Sequence, residues 1–129
     1  MKPEFIRRVL AEEQRPVLWV DVDSRILKLP EYFRGTDHLF DLQARHTIPE
    51  HRRHTMWHVV AMWWNCTPVV MEFMDRWIEC TRTTLAEGGS EEAALEWTRR
   101  QGHSLRVRDM PWEYSDFGHP RTADPVIKN

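Results

Sequence analysis

Pro16–Leu27 reads PVLWVDVDSRIL, and its first half decides the fold class. Val17–Val20 is an unbroken apolar run of strand length, rich in β-formers and without polar alternation. Such a run predicts a strand covered on both faces, as in a parallel sheet. It runs into Asp21 and Asp23, spaced i, i+2, although aspartate is depleted in strands. A metal, a salt-bridged surface or a helix cap would each account for them. In extended chain both carboxylates project to one side, at the strand end where open α/β sheets place ligand crevices. Hard oxygen ligands there suit Mg²⁺ or Mn²⁺, which bridge a few carboxylates to substrate phosphates. The competing reading is a strand that ends in solvent, with Asp23-Ser24 starting a turn.

Upstream, Lys2–Gln14 predicts an amphipathic helix with Phe5, Ile6, Val9 and Leu10 on one face, Pro3 in its first turn and Pro16 as its stop. Downstream, Asp37–Arg53 shows no sustained period and predicts a loop or lid-like excursion. Val59–Trp64, VVAMWW, is a second buried strand. Thr67-Pro68 is a helix start, Thr as N-cap and Pro as first helical residue. Val70, Phe73, Met74, Trp77, Ile78 and Thr81 follow at 3/4 spacing, and Gly88-Gly89 closes the helix. Ser90 begins another helix, with Glu91 and Glu92 in the first turn where the dipole favours acids and Gly102 past its end. SLRVRDMP alternates as a short strand, and the tail 117–129 is expected to be irregular. Helices alternating with strands give an α/β class, and 129 residues fit one domain spanning 1–129.

Bulk properties narrow the function classes. Net charge is −2 with pI ≈ 6.4, so no basic field points to nucleic acid. No apolar run approaches the roughly 18 residues of a membrane span, and charges interrupt every apolar stretch of the N-terminus, so no signal peptide is expected and a cytoplasmic location is. Cys66 and Cys80 flank or lie within one helix and are expected as reduced, partly buried thiols.

The order of these elements resembles GT-A fold nucleotide-diphospho-sugar transferases. VLWVDVDSRI is similar to the family's DxD strand, which a helix precedes. AMWWNCTPVVMEFMDRWIECT looks like its later strand, Asn-x-Thr-Pro turn and Trp-bearing helix. SEEAALEW resembles a helix opening, and LRVRDMPWEYSDF the strand and Met-Pro-x-x-Tyr segment that follow. The resemblance implies a partial GT-A, Rossmann-like three-layer sandwich, a mixed but mostly parallel sheet flanked by helices. It implies transfer of a sugar from a nucleoside-diphosphate sugar to an acceptor hydroxyl, assisted by Mn²⁺ or Mg²⁺. Asp23 would be the direct metal ligand, and Asp21 would contact the ribose or a metal-bound water. Asn65 and Thr67 would lie in the acceptor-side turn. Glu91 would be the candidate general base, although a helix N-terminal acid also serves the macrodipole alone. Trp19 and Trp112 would flank the site as sugar-stacking residues.

The family's N-terminal half, which holds the nucleotide base, has no counterpart in these residues. A non-catalytic binding module completed by a partner chain or a homodimer is therefore the alternative, because a sheet lacking those strands would expose an edge. His46, His51, His54 and His58 crowd one segment, where a transition metal could take three imidazoles, but Pro49 favours a loop. Arg52 and Arg53 form a solvated edge, and His119 is an exposed tail residue. Trp57, Trp63, Trp64, Trp77 and Trp97 are assigned mostly to core faces.

Overall fold

The computed structural model describes residues 1–28, 30–47, 56–114 and 126–128. It is built of both helices and strands, as the periodicities predict, but they come in runs rather than in the expected alternation. Helices α1 (Lys2–Glu13), α2 (Pro68–Ala86) and α3 (Glu91–Arg100) accompany strands β1 (Val17–Val20), β2 (Arg25–Ile26), β3 (Leu42–Thr47), β4 (Met56–Trp64), β5 (Val107–Asp109) and β6 (Ile127–Lys128). The fold is mixed α/β, with a four-stranded sheet in the order β1-β4-β3-β5.

The sheet is mixed, but not mostly parallel as expected. β4 runs antiparallel to both β1 and β3, and only β3 and β5 pair in parallel. The apolar run of β1 does reflect cover on both faces. Val17 and Trp19 pack toward one core and Leu18 and Val20 toward the other. Burial on two faces does not set strand direction, however. Only residues 48–55 join β3 to β4, too few for the crossover of a dozen or more residues that parallel neighbours need.

All three α-helices contribute to one core, on one side of the sheet. Ile6 and Leu10 of α1, Val70, Phe73, Met74 and Trp77 of α2, and Ala94 and Leu95 of α3 pack there against Leu42, Ala44, Met62 and Trp64. The opposite face carries no α-helix among the described residues. It is covered by the 3₁₀ turns Glu31–Phe33 and Trp112–Tyr114 and by Ile127, which bury Ala61 and Trp63. A register shift between β3 and β4 near Ala44 and His46 is the reason β4 changes parity. It turns Trp57 and Val59 to the same face as Met62 and Trp64.

Local signals explain the helix ends. Thr67 Oγ1 accepts from Val70 N at 3.3 Å and Ser90 Oγ from Ala93 N at 3.1 Å, each satisfying an orphan amide. The six residues spaced along α2 are its buried set. Gly88 sits at φ +82°, and the bonds Gly88 N to Leu85 O (3.1 Å) and Gly89 N to Thr84 O (2.8 Å) form a Schellman closure. Other expectations need revision. Asp37–Arg53 is not wholly a loop, because Leu42–Thr47 is the third strand of the sheet. The tail is not wholly irregular, because Ile127 pairs with Ile26 of β2. Phe5 lies half exposed, edge-on to Trp19, rather than in the core. Trp97 is 58% exposed.

The closure of α2 makes a stability prediction. Gly88→Ala places a side chain in the left-handed region and costs about 1–2 kcal/mol. Gly89→Ala costs more, because its Cβ would overlap Thr84 Cγ2. Urea denaturation should rank Gly89→Ala below Gly88→Ala, and adding Thr84→Ser should recover part of the Gly89→Ala loss.

Candidate functional site

β1, β3 and β5 point the same way, and β4 the other. The C-terminal ends of three strands therefore meet on one edge of the sheet, next to the start of β4. That edge carries Asp21, His46 and Asp109, the arrangement at which open α/β sheets hold ligands. Asp109 ties it together by accepting from Arg45 Nη1 at 3.2 Å and from His46 N at 2.8 Å.

Asp21 leaves the sheet where its N–H donates to Val60 O at 2.9 Å. The chain then turns rather than continuing extended, and Ser24 N donates back to Asp21 O at 2.9 Å. The i, i+2 projection expected for the two carboxylates thus gives way to a turn, with Asp23 exposed on it and Val22 fully in solvent. Asp21 Oδ1 is held twice, by Lys2 Nζ at 2.8 Å and by Trp19 Nε1 at 2.9 Å. Its second oxygen has no protein donor among the described residues.

Lys2 is the residue that sequence reasoning missed. It is the first residue of α1, and its ammonium also donates to Val59 O at 3.0 Å and lies 5.3 Å from the Trp19 ring centre. Its backbone N–H donates to Glu91 Oε1 at 2.9 Å. Lys2 thereby joins two expected site residues, Asp21 and Glu91, that lie 70 positions apart in the chain. Glu91 serves two helix starts: it lies in the first turn of α3 and accepts an orphan amide at the start of α1. Trp19 supports Asp21 by its N–H, with Lys2 above its ring and Phe5 in T-shaped contact with it.

Asn65 and Thr67 lie elsewhere. They follow the C-terminal end of β4, which pairs with the beginning of β1. Asn65 is five residues of extended strand from Val60, or about 17 Å from the level of Asp21. Buried Asn65 donates to Asp37 O and, at 2.9 Å, to Phe40 O, so it pins the loop before β3. Thr67 Oγ1 donates to Asp41 Oδ1 at 3.2 Å while capping α2. The backbone of Trp112 forms the 3₁₀ turn after β5. His51, His54 and His119 lie outside the described residues, as do Arg52 and Arg53. Among the described residues no three His, Cys, Asp or Glu side chains gather as metal ligands.

Among the described residues, the ion pair with the most deeply buried carboxylate lies away from this edge. Nearly buried Asp41 accepts from Arg106 N, Nε and Nη2 at 2.9, 3.1 and 3.0 Å. Burial pushes the Asp41 carboxyl up, but the hydrogen bonds and charge of Arg106, with Thr67, outweigh it and hold the group below the usual carboxylate range. No family model, no curated protein and no solved structure matches this chain.

A carboxyl whose folded pKa is depressed contributes stability above its unfolded pKa and loses it as pH falls through the folded one. Asp41→Asn should cost about 2–3 kcal/mol near neutral pH, because it leaves Arg106 and Thr67 with a weaker acceptor. Urea denaturation on acidification should show the gap to the parent narrowing below the ordinary carboxylate range.

Proposed function

We propose that this chain is a glycosyltransferase-like protein of the GT-A type, a single domain acting in the cytoplasm. Its reaction would transfer a sugar from a nucleoside-diphosphate sugar to an acceptor hydroxyl. The observation that carries the reading is the shared edge of β1, β3 and β5, with Asp21 held in place and Asp23 exposed beside it.

The residues fit a divalent cation that a substrate completes. Mg²⁺ and ions like it bind through one or two carboxylates plus phosphate oxygens and water, so three protein ligands are not required. Asp23 has no ion pair among the described residues and would be the direct ligand. Lys2 neutralises one oxygen of Asp21, which leaves the other to accept from a ribose hydroxyl or a metal-bound water. Mn²⁺ or Mg²⁺ there would supply Lewis-acid assistance to the departing diphosphate. Trp19 and Lys2 fix the Asp21 carboxylate before substrate arrives, so that little ordering cost remains at binding. Glu91 remains the candidate base, with Oε1 bound to Lys2 N. Trp112, just past β5 in the chain, is retained in this reading as a candidate sugar-stacking residue. Asn65 and Thr67 enter it as supports of the loop 37–41, with any acceptor contact at the opposite end of β1.

A second reading rests on β1. It is a terminal strand of the sheet, yet its sequence is apolar throughout. Since Asp21 N–H points to β4, Leu18 and Val20 direct their backbone groups outward, where no described strand meets them. A non-catalytic module completed at this edge by a partner chain or a second copy is the alternative.

Titration of UDP- and GDP-sugars in the presence of Mn²⁺ separates the two. The transferase reading expects metal-dependent donor binding that Asp23→Ala abolishes. Absence of binding by the parent protein in every oligomeric form overturns it and favours the interaction module.

A further inference from the structure

The hairpin of α2 and α3 carries a groove of about 510 Å³ lined by Glu79, Cys80, Thr83, Thr84, Glu87, Trp97 and Gln101. That volume suits a small molecule. None of these residues belongs to the sheet edge that carries Asp21, so the groove is independent of the sugar-transfer reading.

Three features of the groove share one sign. Trp97 offers an indole that is 58% exposed, although it lies on a helix whose other large apolar residue, Leu95, is buried. Its ring contributes the negative face of a π system. Glu79 and Glu87 add two carboxylates, and neither has an ion pair among the described residues. Neighbouring basic side chains are committed elsewhere. Arg82 pairs with Glu4 at 2.7 Å, while Arg99 and Arg100 pair with Glu96 at 2.7 and 3.0 Å. Arg76 donates to Gly102 O at 2.9 Å. The C-terminal end of α2 brings the third feature, the negative pole of the helix, and its last turn holds no basic residue.

We infer that this groove binds a small organic cation, an alkylated ammonium group lying on Trp97 between Glu79 and Glu87. A cation over an indole face gains from the ring quadrupole, and most when methyl groups spread its charge and lower its hydration. The carboxylates supply the matching charge. Thr83, Thr84 and Gln101 offer polar contacts for a hydroxyl on the same molecule.

Choline is a suitable probe, and neohexyl alcohol, in which carbon replaces the nitrogen, is its neutral isostere. The readout is the indole N–H resonance of Trp97, assigned by comparison with Trp97→Phe, in the full chain at low ionic strength. Choline should shift that resonance saturably, and the alcohol should bind about tenfold more weakly. Glu79→Gln with Glu87→Gln should weaken choline about five- to tenfold without lowering the unfolding midpoint, since both side chains are without ion-pair partners among the described residues and Glu87 stands at the negative pole of α2. Added salt should weaken choline binding as well. Equal responses to choline and the alcohol, an unchanged affinity in the double variant, or no saturable shift would each overturn the proposal. So would self-association that Trp97→Ser abolishes, because a second copy of the chain would then be the occupant.

Discussion

The structure depends on β4 having no polar face. Trp64 and Met62 are wholly buried against the helices, while Ala61 and Trp63 are buried against the opposite cover. A strand with apolar side chains on both sides must have a layer on each, and the rest of the chain supplies them. On one side the Trp64 ring meets Phe73 at 5.8 Å and Trp77 at 6.0 Å, so α2 is fixed by aromatic contact. On the other, Trp63 stacks on Phe33 at 6.2 Å, and Phe33 meets Tyr114 at 5.2 Å. Two short 3₁₀ turns thus do on this face what helices do on the other. Buried aromatic pairs contribute roughly 0.5–1.5 kcal/mol each beyond the burial of their area.

Local chemistry was legible in the sequence. Thr67-Pro68, Ser90 and Gly88-Gly89 set helix ends through contacts within five residues, so their letters suffice. The 3/4 spacing in α2 marked its buried face for the same reason. β3 was not legible, because its polar Gln43 is fully buried and bonded to Thr36 and Arg108. A buried polar residue breaks the apolar count while the strand stays intact. Strand direction was hidden too, since an apolar run records how many faces are covered and not which way its neighbours run. At the candidate site, the two aspartates declared themselves at a strand end. The ammonium that holds one of them comes from residue 2, and no local pattern pairs Lys2 with Asp21. Likewise Asn65 and Thr67 gave no sign that antiparallel pairing carries them to the opposite end of β1.

The placement of Lys2 has a practical side. α1 begins at residue 2, and that same residue grips Asp21 and Glu91. Whatever precedes Met1, an affinity tag or further chain, leaves the molecule next to the carboxylates of the sheet edge. A histidine tag at that terminus would bring metal-binding imidazoles close to Asp21 and confound any test of cation binding there. A tag at the amino end is therefore best made removable before cation binding at this edge is measured.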